Sequence, residues 1–256
     1  MMIDILVNYI YQIVFTIGSI GFFGFIIALC NRMFYRNFGS KSSIVCHVTG
    51  AIGTPVHECA HALFCLIFGH KITEMKLFQI HFEDGTLGYV SHTYNKKNIY
   101  QRIGNFFIGV APIIVISVIL YLLSIFLIPN MISLIQKEVL NFSLEKSIIN
   151  IFKILGAYAQ TGLFWLFIVI SLFLALHMNL SKADIKGALS GLVFLLIVIF
   201  FIDLIIGLIS VKTLAKFSNI MMIIATSLNT FLILSTCISF FAVLISFLYK
   251  LTLGKN

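Results

Sequence analysis

Long apolar runs separated by short polar segments are the dominant pattern along this chain. Each run is long enough to cross a hydrocarbon layer of about 30 Å as a helix, which needs about 20 residues. We therefore predict an all-α polytopic membrane protein with about six transmembrane helices. The predicted spans cover approximately residues 3–29, 44–68, 104–128, 158–178, 187–210 and 221–249.

Two segments between these runs have a different pattern. Residues 71–94 alternate between polar and apolar side chains around Glu83-Asp84-Gly85, which predicts a small β-hairpin at the membrane surface between the second and third spans. Its exposed edge could hold an extended substrate by strand addition. We expect the hairpin residues His81 and His92 to be ordinary exposed side chains. Residues 130–156 mix charged and apolar positions, which predicts an amphipathic segment in the membrane interface.

The composition agrees with a membrane location. The chain is 60% hydrophobic and 10% charged, whereas a soluble domain carries about 25% charged residues. The net charge of +8 is spread through the loops, so it suits anionic lipid head groups and gives no indication of nucleic acid binding.

We find no repeat or linker, so residues 1–256 are predicted to form a single membrane-embedded domain, multi-pass in the cell membrane. The first apolar run is too long for a cleaved signal peptide and is expected to be a retained span. Lys and Arg residues divide almost evenly between the two predicted faces, so the positive-inside rule does not fix the orientation.

The second predicted span contains the motif His57-Glu58-Cys59-Ala60-His61, which reads H-E-x-x-H. Positions i and i+4 share one face of a helix, so His57 and His61 can present two imidazoles to one metal ion. Glu58 lies about 100° further round the helix, where a carboxylate could take a proton from water at the metal. The alternative is two unrelated core histidines near a stray acid. Burying these groups in a membrane without a purpose is costly, which favours the metal site.

The residues around the motif also suit a buried site between helices. Gly50, Gly53 and Ala60 are small and let neighbouring helices approach closely. Pro55 lacks a backbone donor, so a kink or a partly unwound turn is expected there.

A zinc hydrolase site needs a third protein ligand and leaves the fourth position to water. Of the nine acidic residues, Asp184 and Asp203 remain after those in termini, interfacial stretches and the hairpin are set aside. Counting spans brings Asp184 to the depth of His61 and leaves Asp203 roughly 24 Å further along its helix. We therefore expect Asp184 to be the third ligand and Asp203 to hydrogen-bond a neighbouring helix. His177, at nearly the same depth as Asp184, is a rival ligand.

The order of these features resembles the site-2 protease class of intramembrane zinc metalloproteases, over about residues 44–190. The resemblance rests on H-E-x-x-H in a second span, the patch at 110–112 in a third, and Asn179-Leu180 followed by Asp184 after a fourth. The segment from Asn179 to Asp184 is shorter than the family's, has no prolines and has no glycine directly after the aspartate.

Through this resemblance, His57, His61 and Asp184 are implied to bind Zn²⁺ and Glu58 to be the general base. Asn179 is implied to bind the substrate near the scissile bond. The implied substrate is a membrane-spanning helix that unwinds near the site.

The sequence thus predicts a zinc metalloendopeptidase that cleaves membrane-spanning or membrane-associated peptides with water activated by zinc. One alternative is a catalytically inactive family member that acts as a membrane binding or chaperone-like protein. The intact Glu58 argues against it, because a binding module needs no base beside two ligands. Another alternative is a transporter that uses the histidines as an ion site, which the scarcity of acids elsewhere in the spans disfavours.

Overall fold

The computed structural model describes residues 2–80, 86–140 and 144–252. It is 83% helical, which confirms the all-α prediction. A π-helical turn at Val14–Gly18 joins the first two helices into one continuous span. Within the described residues the helices are α1 (Met2–Ile13), α2 (Ser19–Asn37), α3 (Ser42–Ile67), α4 (Ile99–Leu127), α5 (Met131–Leu140), α6 (Leu144–Tyr158), α7 (Gly162–Ala175), α8 (Lys182–Ile209) and α9 (Val211–Thr252).

Four segments of the described chain are long and apolar enough to cross a membrane: Met2–Asn37, α4, α8 and α9. A fifth is added if Ile149–Tyr158 and α7, which are bent by 102°, count as one broken span. The structure therefore supports four to five spans where about six were expected. The predicted fourth span, residues 158–178, contains α7, the second helix of the bent pair. The predicted second span is α3, which is not among the helices that qualify.

The polar face of α3 accounts for this difference. The helix has 26 residues and continues through Pro55 as one element. Of the kink or partly unwound turn expected there, the unwound turn is not formed. Its outer face is apolar and exposed at Ile44, Val48 and Ile52. Its inner face buries Glu58 and His61 among other polar residues, and these lower the average hydropathy of a helix that is long enough to span.

α4 occupies the centre of the bundle and packs most extensively against α8, with α3, α7 and α9 also in contact. Two glycines let the α4 and α8 backbones touch. A Cβ at Gly109 would collide with the carbonyl oxygen of Asp184, and a Cβ at Gly191 would collide with the backbone nitrogen of Phe106. This close approach fixes the start of α8 next to the middle of α4.

The predicted hairpin is present as β1 (Lys71–Lys76) paired antiparallel with β2 (Tyr89–Thr93). The Gln79 N–H donates to the Leu87 carbonyl at 2.8 Å, which continues the pairing towards the tip. The predicted turn at 83–85 and His81 lie outside the described residues. The hairpin runs along the inner side of α3, because Leu87 packs against Gly50 and Gly88 packs against the Glu58 side chain.

The predicted amphipathic segment forms the two helices α5 and α6, with residues 141–143 outside the described part of the chain. Their location in the membrane interface stays a prediction.

A pair of histidines anchors the base of the hairpin. His70 is buried, and its Nε2–H donates to the Gln101 carbonyl at 2.8 Å. A carbonyl only accepts, so the His70 Nδ1 is a bare acceptor, and the His92 Nδ1–H donates to it at 3.0 Å. The expectation that His92 is an ordinary exposed residue was wrong, because it is partly buried and joins β2 to the end of α3.

Acidification should loosen this anchor. Burial lowers the pKa of His70 below its ordinary 6.5. Burial, and next the neighbouring His70, lower the pKa of His92. Below about pH 6.5 the unfolded state therefore binds more protons than the folded state. The contribution of the His70–His92 pair to the stability of the hairpin is thus present above that pH and is lost as the pH falls. We expect amide exchange in β1 and β2, corrected for its intrinsic rate, to accelerate between about pH 7 and pH 5. A smaller acceleration is expected in His92→Asn, and equal acceleration in both proteins would contradict the assignment.

Candidate metal centre

His57, His61 and Asp184 converge on one point between α3 and the start of α8. The Nε2 atoms of the two histidines are 3.1 Å apart. The Asp184 Oδ1 lies 3.4 Å from the His61 Nε2. All three ligand atoms lie within 4.8 Å of one another. Among the described residues, this is the one group of three or more His, Cys, Asp or Glu side chains that could hold a metal ion.

Backbone carbonyls orient both imidazole rings. The His57 Nδ1 lies 2.6 Å from the carbonyl oxygen of His177, and the His61 Nδ1 lies 2.7 Å from that of Ile108. Because a carbonyl oxygen only accepts, each Nδ1 must carry the proton and donate it. Both Nε2 atoms are then bare lone pairs when the rings are neutral, which is the form that binds a metal.

Pro112 explains why the Ile108 carbonyl is available. In a helix the carbonyl of residue 108 would accept the N–H of residue 112, but proline has no N–H. Pro112 lies inside α4 and is fully buried. The missing intrahelical bond leaves the Ile108 oxygen free for His61. The patch at 110–112 that was noted in the sequence therefore serves the site through a backbone atom.

The N-terminus of α8 orients Asp184. The Ser181 hydroxyl accepts the Asp184 N–H at 3.1 Å, and the Asp184 Oδ2 accepts the Ser181 N–H at 2.7 Å. These reciprocal bonds form a capping box, which fixes the carboxylate at the first turn of the helix. With Oδ2 engaged, Oδ1 is the oxygen that faces His61. The shortened segment before Asp184 is therefore compatible with an inward carboxylate.

These donors fit zinc. Two bare imidazole nitrogens 3.1 Å apart repel each other unless a cation lies between them, and the adjacent carboxylate adds negative charge. Ligands at about 2.0–2.2 Å from a tetrahedral zinc lie roughly 3.3 Å from one another. The distances of 3.1 Å and 3.4 Å are close to that value. Two imidazoles and one carboxylate also form one of the ligand sets of catalytic zinc sites.

Glu58 is buried on α3, one residue from His57, and lies outside the group of three ligands. A Cβ at Gly88 would lie 2.9 Å from the Glu58 Cγ, so the hairpin backbone packs directly on this side chain. Glu58 is therefore enclosed between α3 and the hairpin, next to the ligands.

His177 and Asn179, the other two candidates from the sequence, lie in the turn between α7 and α8. The His177 ring is outside the ligand group and contacts Thr49 and Thr54 instead. Asn179 is exposed, and its Oδ1 accepts the Asn31 Nδ2–H at 3.1 Å.

Asp203 is remote from this group, as span counting predicted. It is fully buried in α8 and accepts a hydrogen bond from the Gln12 Nε2 of α1 at 3.2 Å. This contact agrees with the expectation that Asp203 bonds to a neighbouring helix.

Sequence reasoning missed Asn31, which is fully buried on α2 and also donates to the Ala175 carbonyl at 2.9 Å. No pattern in the chain distinguishes it from other polar residues at a helix end. It also missed the capping box, although Ser181-Lys182-Ala183-Asp184 has the S-x-x-D spacing that predicts one.

Comparison with known proteins supports a metallopeptidase. A family model described as "putative zincin peptidase" matches residues 50–155. That range includes the H-E-x-x-H motif, the hairpin and α4, and it ends before Asp184. Neither a curated protein nor a solved structure matches the chain. The match indicates a zinc metallopeptidase family without specifying a site-2 protease-like subtype.

We expect the purified protein to contain about one zinc per chain. His57→Ala and His61→Ala should each abolish stoichiometric binding, because either change leaves only two protein ligands. Metal content is measured by elemental analysis after purification in mild detergent without chelators. His47→Ala, on the same helix but outside the ligand group, is the matched control and should keep its zinc. A wild-type protein without any stoichiometric transition metal would contradict the assignment.

Asp184→Ala should cost most of the zinc affinity, because it removes an anionic ligand and half of the capping box. Asp184→Asn should lose less, since an amide oxygen can still face His61 although it carries no charge. Affinity is measured by competition with a chromophoric chelator. Wild-type affinity in Asp184→Ala would show that another group supplies the third ligand.

Proposed function

We propose that this protein is a zinc-dependent endopeptidase that cleaves membrane-spanning or membrane-associated peptides within the bilayer, as site-2 proteases do. The observation that carries the proposal is the convergence of His57, His61 and Asp184 on one point, with Glu58 next to them on the same helix. The zincin match and the resemblance to site-2 proteases support the same reaction class.

The chemistry divides among these residues. Zinc, when bound, polarises a peptide carbonyl and makes water acidic enough to react near neutral pH. His57, His61 and Asp184 would hold the ion, and the carbonyls of His177 and Ile108 orient the two imidazole rings for this role. Glu58 accepts the proton from the attacking water and delivers it to the leaving amine. Its burial between α3 and the hairpin limits competing contact with bulk water.

Cleavage inside the bilayer is supported by the surroundings of α3. The outer face of this helix is apolar at Ile44, Val48, Ile52 and Leu66, all of which are exposed. It packs against α4, which is itself a candidate span. A polar inner face with an apolar outer face is the arrangement that a hydrated site within a membrane requires.

The hairpin suggests how the substrate is held. The sheet in the described residues has two strands, so each strand has one edge that is not paired with a third strand. An extended peptide can add to such an edge through main-chain hydrogen bonds. Gly88 lies directly before β2 and contacts Glu58. A peptide that paired beside this segment would pass close to the base. We propose that an unwound membrane-spanning segment binds in this way.

Asn179 is proposed to contact the substrate near the scissile bond. Asn31 donates from its Nδ2, so the atom of Asn179 that meets it must be the oxygen. The Asn179 amide nitrogen then keeps its two donors for another partner. A peptide carbonyl is a suitable acceptor for them.

Glu58→Gln separates catalysis from metal binding. Glutamine preserves the size of the side chain and its hydrogen bonding but cannot take the proton. We expect zinc content to stay at the wild-type level while cleavage falls by about 10²-fold or more. The assay follows cleavage of a panel of single-span peptides in liposomes by mass spectrometry. Glu138→Gln on α5, where Glu138 accepts from Asn150, is the matched control. Full activity in Glu58→Gln would overturn the role of the base.

A further inference from the structure

We propose that His177 is a positioning residue for the metal centre: its ring attaches the α7–α8 turn to α3, so that its own backbone carbonyl holds the His57 ring in the metal-binding orientation. This inference rests on the zinc site proposed above. The sequence made His177 a rival metal ligand. In this proposal its side chain and its main chain instead act together to position His57.

The first observation is the position of the carbonyl. The His177 oxygen lies 2.6 Å from the His57 Nδ1. It belongs to the turn between Ala175, where α7 ends, and Lys182, where α8 begins. A turn outside a helix does not fix its carbonyls by repeated intrahelical bonds. Some other contact must therefore hold this oxygen against α3.

The second observation is that both ring nitrogens meet hydroxyl groups of α3. The His177 Nε2 lies 2.9 Å from the Thr49 Oγ1, and the Nδ1 lies 3.3 Å from the Thr54 Oγ1. The Thr49 hydroxyl donates its proton to the Val45 carbonyl at 2.9 Å, so it accepts the His177 Nε2–H. The Thr54 hydroxyl donates to the bare Nδ1. The Tyr35 hydroxyl of α2 lies 3.4 Å from the same Nε2. Both nitrogens of the ring are therefore engaged by hydroxyl groups of α2 and α3.

The third observation is the space that α3 leaves for the ring. A Cβ at Gly53 would lie 2.6 Å from the His177 Cδ2, and a Cβ at Gly50 would lie 3.2 Å from the Cε1. The imidazole therefore lies directly on the backbone of α3 at two glycines. This close approach lets a turn residue contact the helix through its ring and its carbonyl at once.

Together these contacts join one residue of the turn to three positions on α3. Thr49, Gly53 and His57 are spaced by four residues and share one face of α3. The ring contacts the first two positions, and the carbonyl contacts the third. Displacement of the turn breaks the ring contacts and the His57 bond together. Partners that orient a ligating histidine typically contribute 10–100-fold to metal affinity.

The test compares zinc affinity by chelator competition in four variants of the full chain. His177→Ala, which removes the ring, should bind zinc about 10–100-fold more weakly than wild type. His177→Gln should stay within about 5-fold of wild type, because its amide can still reach Thr49. Thr49→Val keeps the ring and the shape of the helix but removes one hydroxyl, and it should lose about 5-fold. His47→Ala, a matched loss of a histidine near α3's start, should leave affinity unchanged.

Visible absorption of the cobalt(II)-loaded protein distinguishes positioning from ligation. The cobalt(II) absorption bands of the His177→Ala variant should shift only slightly from those of wild type, since His57, His61 and Asp184 remain the ligands. A spectrum showing loss of an imidazole ligand in that variant would overturn the proposal. If His177→Ala does not fold, the Thr49→Val comparison still decides.

The proposed function and the positioning role of His177 are overturned by different results. Wild-type protein that binds neither zinc nor cobalt would overturn the proposed function and this inference with it. Wild-type zinc binding that depends on His57 but is unchanged in His177→Ala and Thr49→Val would overturn the positioning role alone.

Discussion

Two hydrogen bonds from imidazole rings to backbone carbonyls fix the geometry of the candidate metal centre. The Nδ1 protons of His57 and His61 are donated to the carbonyls of His177 and Ile108, which turns both Nε2 lone pairs towards one point. Since these carbonyls come from the α7–α8 turn and from α4, three separate parts of the chain must meet within hydrogen-bonding distance. The tolerance of such bonds is a few tenths of an ångström.

The packing of the bundle supplies that accuracy through small residues. Gly109 lets the start of α8 lie on α4, and Gly53 lets the α7–α8 turn lie on α3. The His177 carbonyl is thereby brought to the His57 ring, and the Asp184 carboxylate to the His61 ring. The site is consequently a product of helix packing, and a larger side chain at either glycine would displace a group that the site uses.

Much of the site could be predicted from local sequence rules. The spacing of His57 and His61 fixes their common face, and the alternation of residues 71–94 identifies the hairpin. Span counting placed Asp184 correctly relative to His61. The backbone partners of the histidines could not be predicted, because every residue has a carbonyl and the sequence does not show which one is unpaired. The Ile108 carbonyl is available only because Pro112 lacks the N–H that would bond to it. The predicted count of about six spans is not confirmed, because the polar residues of the site lower the average hydropathy of α3 and exclude it from the candidate spans.

The burial of Glu58 beside Asp184 has a consequence for the ion itself. Two carboxylates and two neutral imidazoles carry two negative charges in all, so a divalent cation makes the cluster electroneutral. An apolar environment penalises net charge far more than it penalises separated charges that cancel. A monovalent or trivalent ion would leave an uncompensated charge among apolar helices. The medium around the helices would therefore favour a divalent metal at this site, in addition to any preference of the ligands that contact it.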